Sequence, residues 1–385
     1  MTDAPGPRRI GRRESIYLDL MRALAAFAVV LDHAPEVFRM PYLPRWGHHA
    51  VIVFFVLSGY VISNTADVRE RGPRAFLVAR FARLWSVLLP ALALTVLCDA
   101  AGRHFGPYAG LYRHVPADWP LVRLGAAASF LGESWVSIQP LSNGVVWSLC
   151  CEFWYYALFT AWSFAPPGRR RVLAVGLATL FAGHKALLLL PIWLMGVALQ
   201  RARGLRRLPA SASVALWAAG LAGFAWVLAS RIYDPLFDFA LWSEGTWLYT
   251  QLAQARLFWF DWVVGLLVAA HLLGAGVVAE WLPLERIGRP VRWAAGISFA
   301  AYLFHMPLLT LCAAFLAPGQ GWLAIGLTLA AIALLGAPVE RSKRGWRRLL
   351  DRAAGLALAA WPARLAVAQA PAPAATPGRA PNSAA

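Results

Sequence analysis

The chain has 385 residues, of which 59% are hydrophobic and 14% are charged. A soluble protein carries about a quarter charged residues, so this composition excludes a soluble globular fold and indicates a polytopic membrane protein. The net charge of +17 does not predict a nucleic-acid partner, because the basic residues form short runs between apolar segments, which is typical of membrane orientation. The four Cys lack metal-ligand spacing, and no metal site is predicted.

The apolar segments predict an all-α integral membrane fold, a bundle of about ten transmembrane helices. The fifth and sixth segments are short and close together, which is also compatible with one broken pair. In chain order the predicted helices span 15–34, 50–65, 84–100, 145–165, 171–183, 186–200, 212–230, 262–280, 292–316 and 321–339.

The distribution of basic residues predicts the orientation of this bundle. Most of the 36 Lys and Arg residues fall in segments on one side of it. Because cytoplasmic loops carry an excess of Lys and Arg, both termini are predicted to be cytoplasmic. Residues 1–350 are expected to form the membrane domain, and residues 351–385 an Ala- and Pro-rich cytoplasmic tail that is largely disordered. Neither a cleavable signal peptide nor a second globular domain is expected.

The first predicted helix carries ionisable side chains, among them Asp19, Arg22, Asp32 and His33. Such groups are costly in a bilayer unless they face the protein interior, where they often have a function. Arg22 and His33 are eleven residues apart, so they share a face and are separated by about 16 Å along the helix axis. The alternative is that Asp19 pairs with Arg22 while His33 caps the helix. For the stripe as a whole we favour function, with His33 as a general base.

The second and third helices add polar residues. Arg80 and Arg83, at i and i+3, share a face at the start of the third helix. Two guanidiniums there suit phosphate binding, although they also suit membrane anchoring. In the second helix Ser58 precedes Gly59. This pair favours close packing of helices, and a polar contact from Ser58 to a ligand is the alternative.

The fourth and ninth predicted helices each carry a polar face in the outer half of the membrane. Ser148 and Glu152 share one face of the fourth, and Tyr302 and His305 share one face of the ninth. A buried carboxylate near a histidine suits the orientation of a base, so Glu152 or His305 is predicted either to orient the histidine on the first helix or to bind the acceptor. A lone His305 would more often be structural. Glu340 is interpreted as an interfacial residue.

These segments together resemble the membrane-bound acyltransferase 3 family, bacterial O-acyltransferases that modify cell-envelope glycans and some small molecules. The matching segments are LDLMRALAAFAVVLDH, VIVFFVLSGYVIS, RFARLW, NGVVWSLCCEFWYY and ISFAAYLFHMP, in family order across residues 15–340. The chain departs from the family pattern at Asp32 and at Glu340-Arg341. It resembles the members that lack a fused periplasmic esterase-like domain.

The resemblance implies a cytoplasmic acyl-CoA donor, in the first instance acetyl-CoA, as a co-substrate and no bound cofactor. It implies an acceptor hydroxyl on a carbohydrate or another cell-envelope molecule, and a multi-pass location in the bacterial cytoplasmic membrane. The acyl chain, the choice between direct transfer and an acyl-enzyme, and the oligomeric state stay open. The implied site residues are catalytic His33 and Glu152, donor-binding Arg22, Arg80 and Arg83, and supporting Asp19, Ser58, Trp147, Ser148, Tyr302 and His305, with no metal.

A transporter is the alternative function. A flippase for a lipid-linked sugar, or a carrier of an acidic solute, would also place charged residues within the bundle. The sequence shows no internal repeat of the kind that many transporters have, and the full set of motifs favours the acyltransferase.

Overall fold

The computed structural model describes residues 10–38, 40, 46–70, 72–202, 208–233, 235–236 and 246–368. Over these residues the chain is helical with connecting turns, and no strand occurs among them. The long and short helices are α1 (Arg12–Phe38), α2 (Gly47–Val68), α3 (Pro73–Phe105), α4 (Pro120–Ala128), α5 (Val146–Phe164), α6 (Arg169–Arg201), α7 (Ala210–Ser230), α8 (Trp247–Leu252), α9 (Phe258–Trp281), α10 (Gly288–Gly296), α11 (Ser298–Phe315), α12 (Gly321–Arg341) and α13 (Lys343–Ala368). In the described connections, 3-10 helices occur at Ala109–His114, Ala253–Ala255 and Leu284–Ile287.

Seven segments of the described chain are long and apolar enough to cross a membrane. They are α2, α3, α6, α7, α11 and the longer segments Tyr249–Trp281 and Gly321–Leu356. The prediction of an all-α membrane protein is confirmed, whereas the number of ten spans and the cytoplasmic termini stay predictions. α1 and α5 are not among the seven, because α1 carries several charged residues and α5 carries Glu152 among Trp and Tyr side chains. Such helices need protein neighbours instead of lipid on their polar faces.

The third predicted helix is longer than expected. α3 begins at Pro73, whereas the sequence placed the start of this span near residue 84. Proline is well suited to the first turn of a helix because its missing N–H would have no helical partner there. Arg80 and Arg83 therefore lie within α3, where the helix fixes their shared face.

The ninth predicted span, 292–316, is divided at Ile297 into α10 and α11. Glu340 lies at the new helix start, where its Oε1 accepts a hydrogen bond from the backbone N of Ala300 at 3.3 Å. A carboxylate is favourable at this position because it meets the positive end of the helix dipole. Glu340 is buried and caps α11, while its location at the membrane interface stays a prediction.

α6 turns sharply at Gly183, where φ is 75° and ψ is 167°. Glycine adopts a positive φ without strain, and a Cβ at this position would meet the backbone of Ser134. The end of α6 returns to the C-terminal end of α2, where Arg201 Nε donates to Ser63 Oγ at 3.1 Å. The two halves of α6 therefore correspond to the predicted fifth and sixth spans.

A buried ion pair fastens the loop before α5 to this turn. Lys185 Nζ donates to Ser137 Oγ at 2.7 Å and lies 3.6 Å from Glu133 Oε1. Ser137 Oγ in turn donates to Glu133 Oε1 at 2.8 Å. Burial raises the pKa of the Glu133 carboxyl, and the neighbouring Lys185 opposes that rise. Because removing one partner of a buried pair is strongly destabilising, this contact holds the loop in place.

Two glycines allow α2 and α6 to cross at close range. A Cβ at Gly59 would meet the carbonyl group of Trp193, and a Cβ at Gly196 would meet that of Val56. The prediction that the Ser58-Gly59 pair permits close helix packing is confirmed. The same crossing brings the Trp193 indole to Ser58, to which its Nε1 donates at 3.2 Å.

The chain beyond α12 continues as α13. Its Leu, Ala and Arg residues are strong helix formers, and Arg74 Nη2 on α3 donates to the Asp351 carboxylate at 2.9 Å. Residues 351–368, predicted as part of an irregular tail, are therefore helical, and the boundary predicted at 350 lies inside a helix. The rest of the predicted tail, 369–385, lies outside the described residues.

Candidate active site

A cavity of about 820 Å³ lies between α1, α2, α3, α5 and α11. It joins side chains from helices that are far apart in the sequence. Most of the site residues predicted from the sequence line it, namely Arg22, Ser58, Arg80, Arg83, Ser148, Glu152 and Tyr302. The predicted motifs therefore converge on one wall of one cavity.

Two of its three arginines, Arg22 and Arg83, carry charges close to each other. Arg22 Nη1 donates to Asp19 Oδ1 at 2.9 Å, the pairing that the sequence offered as the structural alternative. Arg83 lies within electrostatic range of Arg22, and its Cζ is 5.7 Å from the centroid of the Phe299 ring. Like charges in a partly buried site repel each other, and an anionic ligand would relieve that repulsion.

The third arginine, Arg80, is held by an acid that the sequence did not single out. Its Nη2 donates to both carboxylate oxygens of Glu70, at 2.9 and 2.7 Å, and both residues are buried. Its Cζ lies 5.3 Å from the centroid of the Phe76 ring and 6.0 Å from that of Tyr156. Glu70 lies in the turn between α2 and α3, so no helical spacing pointed to this pair. It offsets part of the positive charge of the cavity.

Glu152 lies in the middle of the cavity wall. Its Oε1 accepts hydrogen bonds from Ser58 Oγ and from Tyr156 OH, both at 2.5 Å. These contacts hold the Glu152 carboxylate on the side of the cavity formed by α2. Two residues were predicted to orient His33, and Glu152, one of them, is bonded to Ser58 and Tyr156 instead. Tyr156 was missed in the sequence, although its spacing of i+4 from Glu152 was available as a signal.

His33 and His305 form a pair beyond the opposite end of the cavity. His33 Nδ1 lies 3.3 Å from His305 Nε2 and 2.9 Å from the carbonyl oxygen of Val29. His305 Nδ1 lies 3.0 Å from the carbonyl oxygen of Ala301. We assign neutral rings with a proton on each Nδ1: His305 Nδ1–H donates to the carbonyl oxygen of Ala301, and the one His33 Nδ1–H is shared between the nearer carbonyl oxygen of Val29 and His305 Nε2. His33 Nε2 then keeps its lone pair, as a general base requires.

Tyr302 connects the cavity to the histidine pair. It lines the cavity, and its ring centroid lies 6.2 Å from that of His305. Its hydroxyl donates to the carbonyl oxygen of Val145 at 3.0 Å and accepts from Ser148 Oγ at 2.6 Å. The α5–α11 contact thus fixes Tyr302, and with it the turn of α11 that carries His305.

Comparison with known proteins fits this arrangement. A family model described as an acyltransferase domain matches residues 15–339. The chain belongs to the acyltransferase 3 family. It is also similar to a Rhizobium radiobacter protein described as protein 2 in the picA locus, with 39% identity over 83 residues. That match covers 20% of this chain and 42% of the relative, so the chain spans less than half of the relative's length. No solved structure matches the chain.

Of the residues predicted for this acyltransferase, Trp147 does not line the cavity, and neither do Asp19, His33 and His305. The Trp147 ring stacks on His48 with the centroids 6.2 Å apart and an interplanar angle of 16°. His48 Nε2 in turn lies 2.9 Å from Asp261 Oδ1, which is almost fully buried. The sequence reasoning missed this histidine–carboxylate contact because its partners are 213 residues apart.

A metal site would need several His, Cys, Asp or Glu side chains close together. Among the described residues, no group of three or more His, Cys, Asp or Glu side chains is arranged to hold a metal ion. Function as a metal-free enzyme stays a prediction. The fold and the family show a multi-pass membrane acyltransferase, and its donor, its acceptor and the roles of individual residues are matters for proposal.

Proposed function

We propose that this protein moves an acyl group, acetyl in the first instance, from cytoplasmic acyl-CoA to a hydroxyl of a carbohydrate or another cell-envelope acceptor. The observation that supports the proposal is that Tyr302 lines the cavity of the three arginines while its ring centroid lies 6.2 Å from that of His305, which contacts His33. A bacterial cytoplasmic membrane is the proposed location, with the arginines toward the cytoplasm.

The arginine end of the cavity suits the phosphates of acyl-CoA. Guanidiniums form strong charge-assisted hydrogen bonds with phosphate oxygens. Arg22 and Arg83 line the same cavity and repel each other, so an anionic group bound there would be attracted to both, and Arg80 would exchange its Glu70 partner for a second one. The arm of the donor would then run along α1 toward His33, over the distance of about 16 Å between Arg22 and His33.

The histidine end suits proton transfer. His33 Nε2 would remove the proton of the acceptor hydroxyl, and the oxygen would attack the thioester carbonyl. The carbon–sulfur bond then breaks, and the leaving CoA thiolate takes the proton from His33. His305 would hold the His33 ring through the contact of 3.3 Å. General acid–base catalysis of this kind contributes typically about 10²- to 10⁴-fold to a rate.

The direct test uses protein reconstituted in vesicles with radiolabelled acetyl-CoA and an extract of envelope glycans. The wild type should transfer label to a glycan, and His33→Ala should lose transfer while inserting normally. His114→Ala, at an exposed histidine of the 3-10 helix Ala109–His114, is the matched control. Undiminished transfer by His33→Ala would contradict the assignment of the base.

A transporter remains the second candidate because the ionisable residues within the bundle also suit that function. The same vesicles distinguish the two. Movement of a lipid-linked sugar or an acidic solute across the bilayer, without consumption of acyl-CoA, would favour transport and contradict acyl transfer.

A further inference from the structure

The turn between α12 and α13 brings a lysine to the arginine end of the cavity. Ser342, which joins the two helices, has φ −62° and ψ −18°, so the backbone stays helical through the turn. Glu340 and Lys343, at i and i+3, therefore share a face. Glu340 is buried and accepts a hydrogen bond from the backbone N of Ala300 at the start of α11. Lys343 is thus on the side of the turn that faces the bundle.

Contacts with α3 fix the helix that carries this lysine. The Trp346 ring meets the Trp85 ring of α3 edge to face, with the centroids 6.4 Å apart. Further along α13, Arg74 Nη2 donates to the Asp351 carboxylate at 2.9 Å. The backbone of Lys343 is therefore held beside α3, while its side chain is exposed and accessible to a ligand.

The Lys343 ammonium belongs to the group of positive charges at this end of the cavity. It lies within electrostatic range of Arg83 and Arg22, both of which line the cavity. Glu340 is also within range, but its Oε1 is already bonded to the start of α11. Among the described residues, neither Arg83 nor Lys343 forms a salt bridge. Cations that repel one another at fixed positions attract an anion.

The proposed donor has a phosphate for each part of this charged region. Acyl-CoA carries a diphosphate between its flexible arm and the ribose, and a separate phosphate on the ribose 3′ oxygen. With the arm directed toward His33, the diphosphate meets the arginines that line the cavity, and the ribose phosphate comes last. Lys343 does not line the cavity and is exposed beside Arg83, so it is the cation that remains for the last phosphate.

We propose that Lys343 binds the ribose 3′-phosphate of the donor, and that the site thereby selects CoA over its 3′-dephospho form. A single lysine suits this task, because an ammonium binds a phosphate as a point charge with several donors. The inference rests on the proposed function, which supplies the donor.

A lipid headgroup is the other source of a phosphate, and the position of Lys343 favours the donor. A lysine that served only the membrane surface would gain nothing from lying near Arg22 and Arg83, because like charges repel. Arg341 is exposed on the same turn and, by helical geometry, is about 200° around the axis from Lys343. Replacing either residue removes one positive charge from the same turn, so Arg341 is the matched control.

Isothermal titration calorimetry of the full-length protein in nanodiscs, with CoA and with 3′-dephospho-CoA, tests the proposal. The wild type should bind CoA about tenfold more tightly, because dephospho-CoA lacks the charge-assisted bond to Lys343. Lys343→Gln should lower this ratio of Kd values to less than about twofold and leave the Kd of dephospho-CoA unchanged. Lys343→Arg should keep most of the ratio, and Arg341→Gln should keep all of it. Lys343 is exposed and unpaired within the described chain, so these variants should fold normally.

The other outcomes overturn the proposal in distinguishable ways. Equal affinity of the wild type for both ligands, in a protein that transfers acyl groups, would overturn the site and leave the proposed function standing. A wild type that binds neither ligand would contradict the proposed donor and this site together. Native mass spectrometry with phosphatidylglycerol tests the lipid. Loss of a bound lipid in Lys343→Gln but not in Arg341→Gln, with the ratio for CoA unchanged, would assign Lys343 to a lipid headgroup and overturn the proposal.

Discussion

The proposed site has an arginine end, in the main cavity, and a histidine end, at the pair beyond it, and the two satisfy their polar groups in different ways. At the arginine end, Arg22 and Arg80 are paired with the carboxylates of Asp19 and Glu70. At the histidine end, His33 and His305 bond to backbone carbonyls of their own helices and to each other. The first end therefore holds charges that an anionic ligand can exchange for new partners. The second holds rings in fixed orientations, as a proton-transfer step requires.

The largest expected effect is at the histidine end. His33→Gln should lower kcat for acyl transfer at least about 100-fold, because the base is lost. KM for acyl-CoA should change little, since the phosphates bind at the other end. Steady-state kinetics with varied acyl-CoA measure both quantities. A large rise in KM with an unchanged kcat would break the distinction between the two ends.

A smaller effect is expected at the arginine end. Arg83→Ala should raise KM for acyl-CoA about 10- to 100-fold, because a hydrogen bond to a charged group is worth about 1.5–3 kcal/mol. The maximal rate at saturating donor should be close to that of the wild type. Arg113→Ala, at an exposed arginine of the 3-10 helix Ala109–His114, is the control. If Arg83→Ala lowered kcat and left KM for acyl-CoA unchanged, Arg83 would act in the chemical step and not in donor binding.

His305 should have an intermediate role as a positioning residue. His305→Ala should lower kcat about tenfold, because His33 loses the contact of 3.3 Å that holds its ring. His305→Gln, whose side-chain oxygen can accept from His33 Nδ1–H, should recover part of that loss. The comparison of the two variants is the measurement. Equal activity of both with the wild type would show that the contact does not contribute.

The smallest effect, of opposite sign, is expected at Glu70. Glu70→Gln should lower KM for acyl-CoA about three- to fivefold, because the donor phosphate no longer competes with a carboxylate for Arg80. The same change should lower the melting temperature without CoA, since it leaves the Arg80 charge buried and unpaired. Glu285→Gln, in the exposed pair with Arg13, should change neither quantity. A raised KM in Glu70→Gln would mean that Glu70 assists the donor.

Helical geometry explains which residues of the two ends could be related to one another from the sequence. The face shared by Arg22 and His33 follows from helical geometry alone; Arg22 lines the cavity, and His33 lies in the pair beyond it. The spacing within α11 likewise predicted that Tyr302 and His305 share a face, and their ring centroids lie 6.2 Å apart. Helical periodicity carries such information because it relates residues within a few turns of each other.

Contacts between distant segments left no such signal. Glu70 meets Arg80 across a turn, and His48 meets Asp261 across the bundle. The sequence left open whether Glu152 or His305 is the partner of His33, because depth in the membrane was the only guide; the structure has His305 in contact with His33 and Glu152 bonded to Ser58 and Tyr156. The start of α11 at Ser298 could not be predicted from the apolar sequence around it, because its cap, Glu340, lies far along the chain.

The central claim is that the donor is bound at the arginine end and the proton is transferred at the histidine end. Equilibrium binding of CoA to the protein in nanodiscs, measured by isothermal titration calorimetry, tests it most directly. His33→Gln should bind CoA with the affinity of the wild type, whereas Arg83→Ala should bind it at least about tenfold more weakly. Equal weakening in both variants, or none in Arg83→Ala, would contradict the account.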